Sequence, residues 1–134
     1  MHITSRSEYG LRALLRLAAT DRPMTAEELA HEEELPPRYI ESILVDLRRA
    51  GILANRRGRD PGYYFEISPE KVTPADAMRA LEGPLAEVRG LRPEATSYTG
   101  SSAALQGLWI ALRANIRLVL EGVSLAELAK GEFP

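Results

Sequence analysis

The sequence contains no cysteine and only two histidines, His2 and His31. Without thiols the chain can form neither disulfides nor thiolate metal sites, and it has no cysteine nucleophile. Two separate histidines are a poor supply for a histidine-rich zinc site or a Ser-His-Asp triad. No phosphate-cradling glycine loop is present. These absences argue against an enzyme, and we expect no metal and no cofactor.

Net basic charge and long apolar runs are also lacking. The formal net charge is −2 at pH 7, which disfavours nucleic-acid binding unless basic residues cluster locally. No apolar run approaches the roughly 18 residues that span a bilayer, and the first residues lack the basic and apolar regions of a secretory signal. We therefore expect a cytoplasmic protein of one domain, or one domain plus an appendage.

Capping patterns and apolar periodicity predict three helices in the first fifty residues. Ser5–Glu8 has the form of a capping box and is followed by apolar residues at helical spacing. Thr25–Glu28 is a second capping box and opens a short helix. Leu35-Pro36-Pro37 predicts a tight turn, because two prolines cannot lie inside a helix. The third helix is expected from about Pro37 to Ala50.

The pattern then changes from helical to alternating. Residues 52–57 and 63–67 predict two strands, joined by the glycine-bounded turn Gly58–Gly62. A fourth helix starts at Thr73, a loop is expected near residues 88–104, and a long helix follows to Leu120. The fold class is therefore mainly α with a small β-hairpin. We expect a winged helix-turn-helix DNA-binding domain over residues 1–72 and a helical dimerisation region over 73–134.

Candidate DNA contacts lie at the start of the third helix. In helix-turn-helix proteins the helix after the tight turn enters the major groove, and this end carries Arg38, Tyr39, Glu41 and Ser42. Arg38 suits a guanine edge or a phosphate, and Glu41 can accept from a cytosine amino group. Tyr39 and Ser42 suit phosphates.

The hairpin tip carries a second set of candidate DNA contacts, the arginines Arg56, Arg57 and Arg59 together with Gly58. A narrow minor groove attracts inserted arginine, which favours a DNA contact. The alternative is that these arginines only keep an edge strand soluble. Arg48 and Arg49 are equally compatible with a solvated helix face and with a DNA contact.

The long helix needs a partner, because little of the winged-helix core remains to cover its apolar face. Packing against a second copy is the simplest solution, and a two-fold dimer presents two recognition helices to a palindromic site. The candidate dimer-interface residues are Leu105, Leu108, Trp109, Leu112, Ile116 and Leu120.

Several segments together resemble one known family. They are Met1–Leu15, Leu35–Leu44 with Leu47–Leu53, the wing Arg57–Tyr63, Thr73–Asp76 and Ala80–Pro84. These segments are similar to the Rrf-type winged helix-turn-helix regulators, the family of IscR, NsrR and CymR. The resemblance covers nearly the whole chain and implies a dimeric DNA-binding regulator, usually a repressor. It also implies that Tyr39 and Glu41 read the major groove and that Arg57 enters the minor groove.

The chain departs from this family at the segment where its iron–sulphur members hold a cluster with three cysteines. Residues 88–104 contain neither cysteine nor histidine, and thiolates are the expected cluster ligands. Glu87, Glu94 and Tyr98 form no recognisable cation site. We expect no iron–sulphur cluster, and any small-molecule or protein effector is left open. The wing also departs from the family's glycine-rich tip at Asp60-Pro61.

Two functions remain in competition. The leading one is a sequence-specific transcriptional regulator, a homodimer on a palindromic operator. The alternative is a winged-helix module that binds a protein partner and has weak or no DNA binding. The net charge of −2 and the acidic run Glu32–Glu34 favour the alternative slightly.

Overall fold

The computed structural model describes residues 2–133 and is mainly helical with one β-hairpin, as the sequence predicted. Met1 and Pro134, the end residues of the two predicted domains, lie outside the described residues. The helices are α1 (Ser5–Ala18), α2 (Ala26–Glu33), α3 (Pro37–Arg49), α4 (Pro74–Glu82), α5 (Leu105–Leu120) and α6 (Leu125–Ala129), the strands are β1 (Leu53–Arg56) and β2 (Gly62–Phe65), and short 3-10 helices cover Pro93–Ala95 and Gly100–Ser102.

Helix α1 is capped one residue earlier than the sequence pattern predicted. The N-cap is Thr4, whose side chain accepts a hydrogen bond from the backbone N–H of Ser7 at 3.0 Å. Ser5 is already helical, so the predicted capping box from Ser5 to Glu8 is wrong. Threonine and serine cap helices by the same hydroxyl contact, and adjacent candidates are separated only by the backbone conformation.

The helix-turn-helix of α2 and α3 matches the predicted sequence signals. The capping box of Thr25 and Glu28 is present in both directions. Glu34 then adopts a left-handed conformation with φ 54°, which ends α2 before the proline turn. The apolar side of α3 is completely buried: Ile40, Ile43, Leu44 and Leu47 are all 0% exposed.

The hairpin is anchored to the helices by a third extended residue. β1 and β2 pair antiparallel, with Arg56 opposite Gly62. Met24, just before α2, pairs with Tyr63 through backbone hydrogen bonds of 3.0 and 2.7 Å. Gly62 makes this approach possible, since a Cβ there would lie 2.5 Å from the Met24 carbonyl carbon.

The C-terminal half shares the core of the DNA-binding half. Helices α4 and α6 both pack on α1, and Leu125 of α6 is 0% exposed within the same core cluster as Leu14. The backbone N–H of Leu125 donates to the Val72 carbonyl at 2.8 Å. Residues on both sides of the predicted boundary at residue 72 therefore belong to one continuous core. The division into a DNA-binding and a dimerisation region at that point stays a prediction.

Helix α5 begins at Leu105, later than the predicted start near Ser102. The segment before it forms a 3-10 turn, with the Ala103 N–H donating to the Gly100 carbonyl at 3.2 Å. No acidic residue stands where it could complete a capping box from Ser102, which leaves this turn uncapped by a side chain.

Helix α5 is also more exposed than any other long helix in the described range. None of its residues is buried, although Ile116 and Leu120 pack partly against Ala75, Met78 and Leu85. By length and composition alone, Gly100–Leu120 could cross a membrane, which corrects the expectation that no segment approaches that length. Two arginines within 21 residues do not lower the mean hydropathy enough to prevent this.

Candidate nucleic-acid interface

The start of α3 presents polar side chains and an open helix end. Arg38, Glu41 and Ser42 are exposed, and Tyr39 is 39% exposed. The N-cap is Pro36, which has no side chain able to accept from the first N–H groups, and the first turn holds no acidic residue. The positive end of the helix dipole is thus left available to an anion.

The ring of Tyr39 is held in place by a neighbouring helix. It meets the ring of Tyr9 on α1 edge to face, with centroids 5.5 Å apart and planes at 82°. Edge-to-face contacts of this kind restrict an aromatic side chain while leaving the hydroxyl free. Tyr39 is therefore oriented before it meets any partner.

The wing tip exposes the predicted arginines on a sharply turned backbone. Gly58 has φ 86° and Asp60 has φ 49°, so two left-handed residues lie within the turn. Arg56, Arg57 and Arg59 are all exposed. The bridge between Met24 and Tyr63 holds the base of the wing against the start of α2.

A groove of about 390 Å³ connects the recognition helix with the wing. Glu41 lines one side and Arg56, Arg57 and Gly58 line the other. Tyr63 lies beneath them, and its pKa is raised mainly by burial and further by the nearby Glu41 carboxylate, with Arg48 opposing. The raised pKa keeps the Tyr63 phenol neutral. The Glu41 carboxylate lines the same groove as the wing arginines Arg56 and Arg57.

The arginines of the described chain differ in whether a nearby acid neutralises them. Those of α1 and the following turn are paired with acids: Arg6 with Asp46, Arg12 and Arg16 with Glu33, and Arg22 with Glu28. Within residues 2–133 no ion pair involves the arginines of the α3 start and wing, which are Arg38, Arg56, Arg57 and Arg59. Arg48, Arg89 and Arg92 also lack an ion pair in this range, so four of the seven unpaired arginines lie at the start of α3 and on the wing despite the net charge of −2.

Within the acidic run Glu32–Glu34 at the end of α2, only Glu33 is directed towards α1, and Glu32 and Glu34 are exposed. Glu33 is the least exposed of the three, with its side chain at 16%, and it receives hydrogen bonds from Arg12 and Arg16 at 3.3 and 2.7 Å. Arg12 also donates to the Glu33 backbone carbonyl at 2.6 Å. Glu33 therefore stabilises the packing of α1 on α2, and only Glu32 and Glu34 are left for the acidic surface that the protein-binding alternative needs.

Comparison with known proteins identifies the family. Residues 3–131 match Rrf2, described as iron-dependent transcriptional regulators. The chain belongs to the Rrf2 family. Rrf2 proteins are DNA-binding transcriptional regulators, and the chain's winged-helix architecture is the one found in its solved relatives.

Individual relatives span nearly the whole chain. CymR of Bacillus subtilis is 31% identical over 131 residues, which cover 96% of this chain and 90% of CymR. The solved structure of B. subtilis CymR, the global cysteine regulator, has a TM-score of 0.82 at 28% identity and covers 99% of both chains. IscR of Aliivibrio salmonicida is 26% identical over 96% of this chain and 77% of its own.

The residues of this Rrf2 chain do not fit an iron site. The sequence has no cysteine, and no cluster of three or more His, Asp or Glu residues able to hold a metal occurs in residues 2–133. Two oxygen-bearing side chains near α5 already have partners. The Glu94 carboxylate accepts from Arg113 at 3.0 Å, and the Tyr98 hydroxyl accepts from the Trp109 indole N–H at 3.1 Å. Both side chains are thus committed to contacts within the protein.

The segment before α5 is closed by these side-chain hydrogen bonds. Gln106 donates to the backbone carbonyls of Thr96 at 2.7 Å and Glu94 at 3.1 Å. Gln106, Trp109 and Arg113 follow each other at helical spacing, so one side of α5 holds the segment. Sequence periodicity could not show this, because polar and aromatic residues share that side.

The structure brings together only part of the predicted DNA-contact set. Glu41, Arg56, Arg57 and Gly58 line one groove, whereas Arg38, Tyr39, Ser42 and Arg59 lie on the surface around it. Thr25, Asn55 and Pro61 line the groove as well and were not predicted. Their position depends on how α2 meets the wing, for which the sequence carries no local signal.

The candidate dimer residues fall on two neighbouring sides of α5. Leu108 and Leu112 are 56% and 46% exposed. Ile116 and Leu120 pack partly against the chain's own core, and Trp109 contacts Tyr98. Val119, at 55% exposure, lies on the side of Leu108 and Leu112 at about 100° per residue, and the sequence analysis missed it.

Proposed function

We propose that this chain is a homodimeric repressor that binds a palindromic DNA operator through α3 and the wing. The observation that carries the proposal is the distribution of free arginines. Those of α1 are neutralised by acids, whereas those beside the groove have no ion pair within the described range. Phosphate contacts need positive charge that is free to release counterions.

The two sides of the groove have different roles in this proposal. The open end of α3 and Arg38 bind phosphates and direct the helix into the major groove, where Glu41 accepts from a cytosine amino group. Arg57 enters the adjacent minor groove, aimed by the turn at Gly58. The Met24–Tyr63 bridge holds the base of the wing against the start of α2.

The dimer is formed through the exposed side of α5. Leu108, Leu112 and Val119 make an apolar stripe of about three turns that nothing in residues 2–133 covers. A second copy is the occupant we propose, because an isologous pairing of the same stripe gives the two-fold symmetry of a palindromic operator.

The regulator acts in the cytoplasm, and an iron–sulphur cluster has no part in its function. The absence of cysteine and the closed segment before α5 support a function without a cluster. Anaerobically purified protein should contain substoichiometric iron and show no cluster absorbance. Stoichiometric iron with cluster absorbance would contradict the proposal.

The function is tested by fluorescence anisotropy with DNA from the chain's own upstream region, titrated over a range of salt concentrations. Tight binding at two chains per site, preference over scrambled DNA, and a steep salt slope are the expected results. Weak binding equal to that of scrambled DNA, for this region and for sites selected from random DNA, would favour the protein-binding module instead. Repression is checked with a reporter carrying the bound site.

A further inference from the structure

A second concavity lies behind the wing, and the proposed DNA contacts leave it unused. It has a volume of about 700 Å³ and is formed by the end of α1, the turn before α2 and the outer side of the hairpin. Small-molecule sites in proteins typically enclose roughly 300–1,000 Å³. None of its lining residues comes from α3.

The walls of this cleft are mostly apolar. Leu17, Pro23, Phe65 and Pro69 line it, and Tyr64 stands 40% exposed at its edge. Tyr64 lies on the opposite face of β2 from the buried Tyr63, since successive strand residues alternate. An exposed aromatic ring beside apolar walls suits a ligand with an apolar or aromatic body.

Two charges of opposite sign line the same cleft. Asp21 and Arg56 have no ion-pair partner in the described part of the chain. The third charged lining residue, Arg22, is already engaged by Glu28 at 2.9 Å and by the Pro23 carbonyl at 3.1 Å. The cleft therefore offers one free acid and one free base.

We infer that this cleft binds a small zwitterion with an apolar body, of the apolar α-amino acid class. Its carboxylate meets the Arg56 guanidinium, its ammonium group meets Asp21, and its side chain lies against Tyr64 and Phe65. Charge-assisted hydrogen bonds to both the carboxylate and the ammonium group select against compounds that carry only one of the two charges.

Ligand binding opposes DNA binding because Arg56 belongs to both concavities. It lines the cleft and also the groove shared with Glu41 and Arg57. Its partner in the strand register is Gly62, so no opposing side chain on β2 covers it. A guanidinium held by the ligand's carboxylate is withdrawn from phosphate. This second step rests on the proposed DNA-binding function, whereas the binding site itself does not.

The binding site is tested first by isothermal titration calorimetry on the full chain without DNA. L-Phenylalanine and L-leucine are compared with 3-phenylpropionate and phenethylamine, which keep the aromatic body but carry one charge. Phenylalanine should bind about tenfold tighter than either single-charge compound. Equal affinity for the three aromatic compounds, or no saturable binding of either amino acid at millimolar concentration, would overturn the site.

Asp21→Asn and Asp60→Asn form a matched pair of variants. Both acids lie near Arg22, but only Asp21 lines the cleft. Asp21→Asn should weaken phenylalanine binding about tenfold and leave operator affinity intact, whereas Asp60→Asn should leave ligand binding unchanged. Circular dichroism checks that both variants are folded. Equal loss in both variants, or none in either, would contradict the role of Asp21.

Coupling is tested by repeating the operator titration with saturating ligand. The ligand should weaken operator binding, and bound operator should weaken ligand binding by the same factor, since the coupling free energy is reciprocal. Ligand binding with unchanged operator affinity would overturn the sharing of Arg56. Operator binding without ligand binding would overturn the cleft and leave the proposed function standing; ligand binding without operator binding would do the reverse.

Discussion

Arginines in and near the wing differ in whether a neighbouring acid neutralises them. Arg22 near the wing is held by Glu28, whereas Arg57 at the tip has no ion pair in the range 2–133 and lines the groove with Glu41. The same residue type therefore serves packing at one position and is available to a partner at another. Free arginine next to a groove is the residue-scale basis of the DNA contact proposed above.

We predict that Arg57→Ala weakens operator binding by about tenfold or more and lowers the salt slope, with the fold unchanged. Arg92→Ala is the matched control, because Arg92 is exposed and lies outside the groove. Anisotropy titrations at several salt concentrations give both quantities. Unchanged affinity in a folded Arg57→Ala dimer would refute the wing contact.

Glu41→Ala should change base preference more than overall affinity. The carboxylate is exposed on α3 beside Arg57, and its proposed partner is a cytosine amino group. Discrimination at that one base pair should fall by about 1–3 kcal/mol. Competition with operators substituted at each position measures this, and full discrimination at every position would rule out a base contact by Glu41.

Gly62 is required by the close approach of the wing to Met24. A Cβ there would lie 2.5 Å from the Met24 carbonyl carbon and 2.6 Å from its oxygen, in a residue with φ 140°. We predict that Gly62→Ala lowers the free energy of unfolding by about 1–3 kcal/mol and weakens operator binding.

Gly58→Ala separates backbone strain from this collision. Gly58 has φ 86°, but a Cβ there would meet no atom within 4 Å. Its cost is the left-handed conformation alone, about 1–2 kcal/mol. Urea unfolding of both variants makes the comparison; a Gly62→Ala protein as stable as Gly58→Ala would show that the sheet tolerates a shift at Met24.

At the scale of elements, α2 is stabilised at its start by a charged capping box. Glu28 accepts from the Thr25 backbone N–H at 3.2 Å and from Arg22 at 2.9 Å. The hydrogen bond from Arg22, followed by that from the Thr25 backbone, lowers the Glu28 pKa. A carboxyl with a lowered pKa in the folded state stabilises the fold above its unfolded pKa, and this contribution is lost as the pH falls.

We therefore predict that the stability difference between the wild type and Glu28→Gln is largest near neutral pH and is lost as the pH falls through the lowered pKa of Glu28. Glutamine keeps the capping geometry but not the charge. Glu27→Gln is the control, since it removes a neighbouring first-turn charge without touching Arg22. A difference that grows on acidification, measured by urea unfolding across pH, would contradict this assignment.

Helix α5 has one side that contacts the preceding segment and another that is exposed, and its apolar periodicity does not distinguish them. Gln106, Trp109 and Arg113 hold the preceding segment, while Leu108 and Leu112 face away from the chain. The sequence predicted one broad apolar face, because aliphatic residues and Trp109 recur at compatible spacings. Only the packing of residues 93–98 separates the two sides.

At the scale of the whole molecule, the exposed stripe of α5 predicts the oligomeric state. Leu112→Asp should convert the dimer to a monomer and weaken operator binding, because a single chain reads only one half-site. Ile110→Asp is the control, since Ile110 lies on the opposite side of α5 at about 100° per residue. Analytical ultracentrifugation measures the mass of each variant, and a dimeric Leu112→Asp protein would place the interface elsewhere. Partitioning of the wild-type protein into lipid vesicles would instead favour insertion of α5 into a membrane.

Local signals were sufficient for most of the secondary structure. The capping box at Thr25 and the helix start at Thr73 are present as predicted, and the apolar spacing of α3 located its buried side. Helix caps and periodicity involve residues within one or two turns, so the sequence displays them directly. Ser5 was misassigned because the neighbouring Thr4 offers the same local contact, and the start near Ser102 was too early because that segment forms a 3-10 turn before α5.

The sequence by itself determined the mainly helical winged-helix fold, the lack of thiolate ligands and the arginine-rich wing. Only the tertiary structure decided which arginines remain free, which side of α5 stays exposed and why Gly62 must lack a side chain. The physical reason is distance along the chain: Arg6, Arg12 and Arg16 are neutralised by acids 17 to 40 residues away. Which charges are neutralised depends on such long-range contacts, and no local pattern in the sequence encodes them.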